Sequence, residues 1–442
     1  MNRIIINPEA PFLENALKIV KLTIPIIIVN LLYTVESMFS MILVSGVSAS
    51  AVAAVGFSLS LLWFVYSLMA LSYTGTSVLV AQRVGAGKDP SPVLLVGLLI
   101  SFVISLPLTF FGERMVLSIM GWLGASNTVI SLAAEYLSPI FLFITVGFLT
   151  NTFYGAFNGA GDTKTPMKIA LLMNIANVSA SYSLIYGKFG FPKLGVEGAG
   201  WGIVISEIIA FCTYVYLVFF KKKAFFSTFR LDINILWDVI KLGFPTAIER
   251  AVTSFSFNVF VGFLTRFGDN ILAAHQIGLR VESISFMIGF GFMVASTVIS
   301  GQNYGANNLH GLLYGVKFTA NITAFIMGIL GVVLILFPEY LTIPFTREDD
   351  VIKWASYYLI IVGISQVPMA YAVVFSGALK GMGKTFTTMV LNVTSFWVFR
   401  ILPSYLLLSY VNSPLVPWIF MTVETFIRAV LFYGGFRRAV RL

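Results

Sequence analysis

Glu36 stands deep in an apolar run, eleven residues after Pro25, with no basic residue one turn away. An ionisable side chain in such a run needs a partner from elsewhere in the chain or a water-filled cavity. Two readings follow: a carboxylate that takes up a proton or a cation, or a buried acid with only a structural role. Glu249 follows Pro245 by four residues and is next to Arg250, so an interfacial ion pair competes with a site there. Glu282 and Arg280 are two apart and face different sides of a helix, which leaves Arg250 or Arg400 as partners for Glu282. Glu424 precedes Arg428 by four, the favourable order for a pair on one helix. Glu207 has no such neighbour. Asn174, Asn177 and Ser181 share one helical face, a stripe that either binds helices together or offers oxygens to a hard cation such as Na⁺ near Glu36. Asn30, Asn151, Asn258, Gln276, Gln366 and Asn392 add further amides.

Other chemistry finds no support. His275 and His310 lack metal-ligand spacing, and no metal site is expected beyond the Na⁺ option. The single cysteine, Cys212, excludes an intrachain disulfide. GMGKT at 381–385 has Ala378 where a phosphate loop needs its first glycine. No catalytic triad can be assembled, so an enzyme is not expected and no cofactor is called for.

The elements that must position these residues are membrane helices. Of 442 residues, 58% are hydrophobic and 11% charged, against about 45–50% and about 25% in a soluble domain. Apolar runs long enough to cross a bilayer recur along the whole chain. Twelve helices are expected, at about 15–44, 51–80, 91–118, 130–158, 166–187, 195–220, 236–265, 270–300, 312–338, 351–378, 386–409 and 414–436. Eighteen Lys and Arg, among them Lys380, Lys384, Arg437 and Arg438, fall on the N-terminal side and six on the other, which predicts cytoplasmic termini. The net charge of +9 is thereby explained by topology and anionic lipid, not nucleic acid. Thr165 is the expected cap of the helix that follows it, with Pro166 in the first turn.

The chain repeats itself. GAFNGAGDTKTPM (155–167) matches GALKGMGKTFTTM (377–389) at an offset of 222. At offset 220, Pro25 meets Pro245, Ala53-Ala54 meets Ala273-Ala274, and Gln82, Gly85 and Ala86 meet Gln302, Gly305 and Ala306. Trp201 and Glu207 reappear as Trp418 and Glu424. The expected organisation is a six-helix lobe over 1–220, a cytoplasmic linker over 221–235 and a second six-helix lobe over 236–442. Parallel repeats of this kind suit alternating access around a midplane site. A wall rich in Phe, Met and Tyr would favour bulky, apolar, cationic solutes.

Pro25 together with SGVSASAVAAVG (45–56), AQRVGAG (81–87), GAFNGAGDTKTP (155–166), LAAHQIGLRVESISF (272–286) and GQNYGA (301–306) resembles the MATE family of multidrug and toxic compound extrusion transporters. The resemblance implies two pseudo-symmetric lobes of an all-α protein in the inner membrane, exporting organic cations or amphipathic drugs in exchange for Na⁺ or H⁺. A monomer is expected. Lipid-linked oligosaccharide flippases share the architecture and are the alternative; they would need Arg250, Arg280, Arg400 and Arg428 to converge. The aspartates usual in this family fall at Ser40 and Ser181, with Asn177 retained. Either Glu36, one turn before Ser40, takes over, or coupling rests on Glu249 and Glu282. Asn151, Asn174, Arg280, Gln276 and Glu207 are the supporting candidates.

Overall fold

A computed structural model of the chain describes residues 3–221 and 231–441, so most of the expected linker, including Lys222, Lys223 and Arg230, lies outside the described residues. Among those described, the regular elements are all helices. In chain order they are α1 (Phe12–Ser45), α2 (Ala49–Gly85), α3 (Ser91–Trp122), α4 (Asn127–Leu142), α5 (Ile144–Gly159), α6 (Lys164–Tyr186), α7 (Val196–Tyr216) and α8 (Ile233–Thr265). They continue as α9 (Asp269–Gly305), α10 (Leu309–Leu336), α11 (Pro338–Thr342), α12 (Asp349–Ile364), α13 (Gln366–Gly381), α14 (Thr385–Thr394), α15 (Leu402–Leu408) and α16 (Leu415–Arg441).

Among the described residues, nine helical spans are long and apolar enough to cross a membrane, counting α14 to α15 as one. The pairs α4–α5 and α12–α13 qualify as two more, each bent, by 56° and 54°. The remaining long helix, α8, has 33 residues and carries Glu249, Arg250 and Asn258. The expected helices at 130–158 and 351–378 are thus present as bent pairs. Proline supplies the cause: Pro368 has no N–H for the carbonyl of Ile364, where α12 ends, and Pro139 lies inside the last turn of α4. The interruptions at Phe143 and Ser365 are 222 positions apart, the offset of the sequence repeat. The span at 386–409 is likewise interrupted, by a π-helical stretch from Ser395 to Ile401 ahead of Pro403.

The repeated loop motifs are helix ends and helix contacts. Lys88, Asp162, Asn308 and Lys384 each donate a backbone N–H to a carbonyl five residues back, at 2.8–3.0 Å. The residue before each, Gly87, Gly161, Asn307 and Gly383, has a positive φ of 54–81°. Glycine takes that conformation at no cost and asparagine at little, which accounts for GAG becoming GAN. Upstream, a Cβ at Gly159 would lie 2.3 Å from the Ser77 carbonyl oxygen, and one at Gly381 would lie 2.3 Å from that of Thr297. These glycines let α5 approach α2 and α13 approach α9 backbone to backbone. At the start of α6 the expected cap is corrected: Asp162, not Thr165, supplies the oxygen, accepting from the Thr165 N–H at 3.2 Å and its hydroxyl at 2.8 Å.

Packing divides the chain into two compact units. One spans Ile28–Ala247, and the other joins Arg3–Ile27 to Ile248–Leu442. The interior of the first includes Ile235 and Val239, from the start of α8, among Val80, Val84 and Leu94. The interior of the second includes Ile4, Ile6, Ile19, Leu22 and Ile26 among Phe292, Val298 and Leu312. Polar side chains fasten the N-terminal segment in that second unit. Gln302 accepts from the Ile4 N–H at 2.6 Å, Asn303 accepts from the Ile6 N–H at 3.1 Å, and Asn303 and Asn308 donate back to the carbonyls of Ile4 and Ile6. Part of GQNYGA is thus a clamp on another stretch of backbone.

Candidate functional site

In the first unit, three of the expected residues form one chain of hydrogen bonds. Asn177 of α6 donates its Nδ2 to Glu36 Oε1 of α1, and Ser181, one turn on, donates its hydroxyl to Asn177 Oδ1 at 2.9 Å. Asn177 and Ser181 are buried, and Glu36 is half-buried. The carboxylate has no ion-pair partner among the described residues. Gly202 of α7 closes the far side, since a Cβ there would lie 3.0 Å from Asn177 Oδ1 and closer still to the Ser181 hydroxyl. Glu207, two turns along α7 at most from Gly202, lies within electrostatic reach of Glu36 and leaves its Oε2 buried without a hydrogen bond. Tyr33 and Tyr66 lie within electrostatic reach of both acids. Ser40 is buried one turn beyond Glu36. Asn174 turns its amide to the Ala170 carbonyl at 3.1 Å and leaves Oδ1 buried without a partner. Asn151 is half-buried on α5 and makes no hydrogen bond to this cluster.

The second unit holds three buried acids in different surroundings. Glu249 does not pair with Arg250, whose side chain is exposed; Lys380 of α13 donates to it at 3.0 Å, and Asn392 of α14 at 2.6 Å. Lys380, expected among the topology charges of the N-terminal side, is instead a buried counter-ion. Glu424 sits between Arg400 and Arg428, with Nε of Arg428 at 3.3 Å and Ser395 donating at 2.5 Å. The expected pair on α16 is therefore a triad, with Arg400 and Ser395 brought in by the π-helical stretch. Glu282 is held by neutral donors, the Tyr358 hydroxyl at 2.6 Å and Gln366 Nε2 at 3.3 Å, while Ser285 donates to Gln366 in turn. His275 packs edge-on against Tyr358, with 5.2 Å between ring centroids. Arg280 and Gln276 are exposed and stand apart from Glu282. Glu282 pairs with neither cation expected for it: Arg250 is exposed, and Arg400 is taken by Glu424.

A multi-pass helical membrane protein built from a duplicated half, with acidic side chains inside both packing units and Glu36, Glu207 and Glu282 lacking a basic partner among the described residues, belongs to the class of integral membrane transporters. Within that class the family is defined by sequence as well. The MatE family model matches residues 25–183 and 245–406, so the chain belongs to the MatE family. The chain is 29% identical over 432 residues to a probable multidrug resistance protein NorM of Thermotoga maritima, with 96% of this chain and 92% of that one covered. It is 27% identical over 403 residues to the multidrug resistance protein PmpM of Pseudomonas aeruginosa, covering 86% and 81%. In fold it matches a MOP superfamily transporter from Pyrococcus furiosus with a TM-score of 0.89 at 22% identity, over 96% and 95% of the two chains.

Proposed function

We propose that this protein is a secondary multidrug exporter of the inner membrane, with cytoplasmic termini, that moves organic cations or amphipathic drugs outward by alternating access as H⁺ or Na⁺ moves inward. The observation that carries the reading is the Glu36–Asn177–Ser181 chain, a carboxylate held by neutral polar groups with no fixed counter-charge. Such a group can gain and lose a cation, whereas Glu249 and Glu424 already hold theirs. Asn177 donates to Glu36, the sense that favours an ionised carboxylate ready to take up either ion; a Na⁺ held by Asn177 as well would need the amide to turn its oxygen toward it. A driving ion shifts the balance between facing states by its difference in affinity for them. Relatives named multidrug resistance proteins support the drug substrates. The flippase alternative loses support because Arg400 and Arg428 are both engaged by Glu424 in the interior of the second unit, while the side chains of Arg250 and Arg280 are exposed.

The test is efflux of a fluorescent cation from proteoliposomes under separate proton and sodium gradients. Glu36→Gln is expected to abolish the gradient-driven component while the variant purifies and melts like the parent. Gradient-driven efflux that survives Glu36→Gln would remove this cluster from coupling.

A further inference from the structure

The second unit carries a groove between α14 and α16 that belongs to none of the acids described above. Its volume is about 420 Å³, and its lining includes Lys384, Thr387, Leu391, Val430, Gly434 and Arg438. The two ends differ in character. Lys384 and Arg438 are exposed and make no ion pair among the described residues, and no carboxylate lines the groove. Neighbouring cations are already committed: Lys380 turns inward to Glu249, and Arg437 lies 5.8 Å from the centre of the Tyr433 ring. Eight residues back along α16, about 12 Å at helical rise, the lining becomes apolar with Val430, and Leu391 faces the same space from α14. Gly434 keeps the space open, since a Cβ there would meet nothing within 4 Å.

We propose that this groove is a binding site for one anionic phospholipid, with Lys384 and Arg438 on the headgroup phosphate and an acyl chain along Leu391, Gly434 and Val430. The charge order matches the ligand: two unpaired cations next to a strip of hydrocarbon, in a chain that spans a bilayer. Both cations fall on the side where the basic residues accumulate, and cationic side chains at such a position attract anionic headgroups over neutral ones. Thr387, between the two regions, offers a hydroxyl to the glycerol ester level. The site concerns lipid and not cargo, so it stands or falls independently of the transport reading.

The experiment is native mass spectrometry of the purified full-length protein in neutral detergent, titrated separately with phosphatidylglycerol, phosphatidylcholine of the same acyl chains, and glycerol phosphate. One phosphatidylglycerol is expected to bind about tenfold or more tightly than phosphatidylcholine, with glycerol phosphate weaker than either lipid. Lys384→Gln combined with Arg438→Gln should erase the preference for phosphatidylglycerol, and Gly434→Leu, which fills the groove without touching the charges, should weaken both lipids. Equal affinity of the parent protein for the two lipids, or glycerol phosphate binding as tightly as phosphatidylglycerol, overturns the proposal. An unchanged preference in the doubly substituted protein does so as well.

Discussion

Glu249 and Glu282 share one packing unit, and their difference lies in what faces them. Glu249 meets Lys380 at 3.0 Å with both side chains buried, so removing either partner strands a charge in the interior. Breaking a buried pair costs about 3–5 kcal/mol. Glu249→Gln should therefore lower the melting temperature in detergent sharply, and adding Lys380→Met should recover most of the loss; equal melting of the parent and the Glu249→Gln protein would refute a structural role. Glu282 has no such partner and accepts from Tyr358 and Gln366, so we expect Glu282→Gln, which removes one acceptor and strands no charge, to lower melting clearly less than Glu249→Gln does. Spacing along the chain exposed Glu36 as an isolated acid and put Asn177 and Ser181 on one face, and those residues do come together. It could not place Lys380, because its neighbours read as a loop, nor Tyr358, which is 76 residues from Glu282 in sequence. Contacts across that separation depend on how helices pack, which no local pattern records.

At the level of elements, the strongest sequence motifs proved to be devices of packing and termination. Gly159 and Gly381 each sit where a Cβ would press on the backbone of the opposing helix. Gly381→Ala is expected to destabilise the protein by a few kcal/mol, since neither backbone can yield without opening α9 from α13. Gly262→Ala in α8, where the added atom meets nothing within 4 Å, is the matched control and should be neutral or slightly stabilising. Comparison of the two melting temperatures checks the point. These motifs were legible because a close helix contact and a positive φ each demand a particular residue at a particular place. The breaks at Phe143 and Ser365 were legible in principle from Pro139 and Pro368, yet a membrane helix often tolerates proline, so the sequence read as continuous.

For the molecule as a whole, the boundaries of the packing units fall at 27/28 and 247/248, within α1 and α8 and two residues after Pro25 and Pro245. Each half of the sequence thus completes the interior of a unit made mostly from the other half. Fragments 1–225 and 226–442 expressed together are expected to copurify without a covalent link, and 1–225 alone should be degraded, because Ile19, Leu22 and Ile26 would lack Phe292 and Val298. Independent accumulation of the two fragments would contradict this. The exchange also bears on ancestry. A half-length forebear packed in this way could close its interior only by lending its leading segment to a second copy, so it would have lived as an intertwined homodimer, and gene fusion would have turned that loan between molecules into one within a single chain.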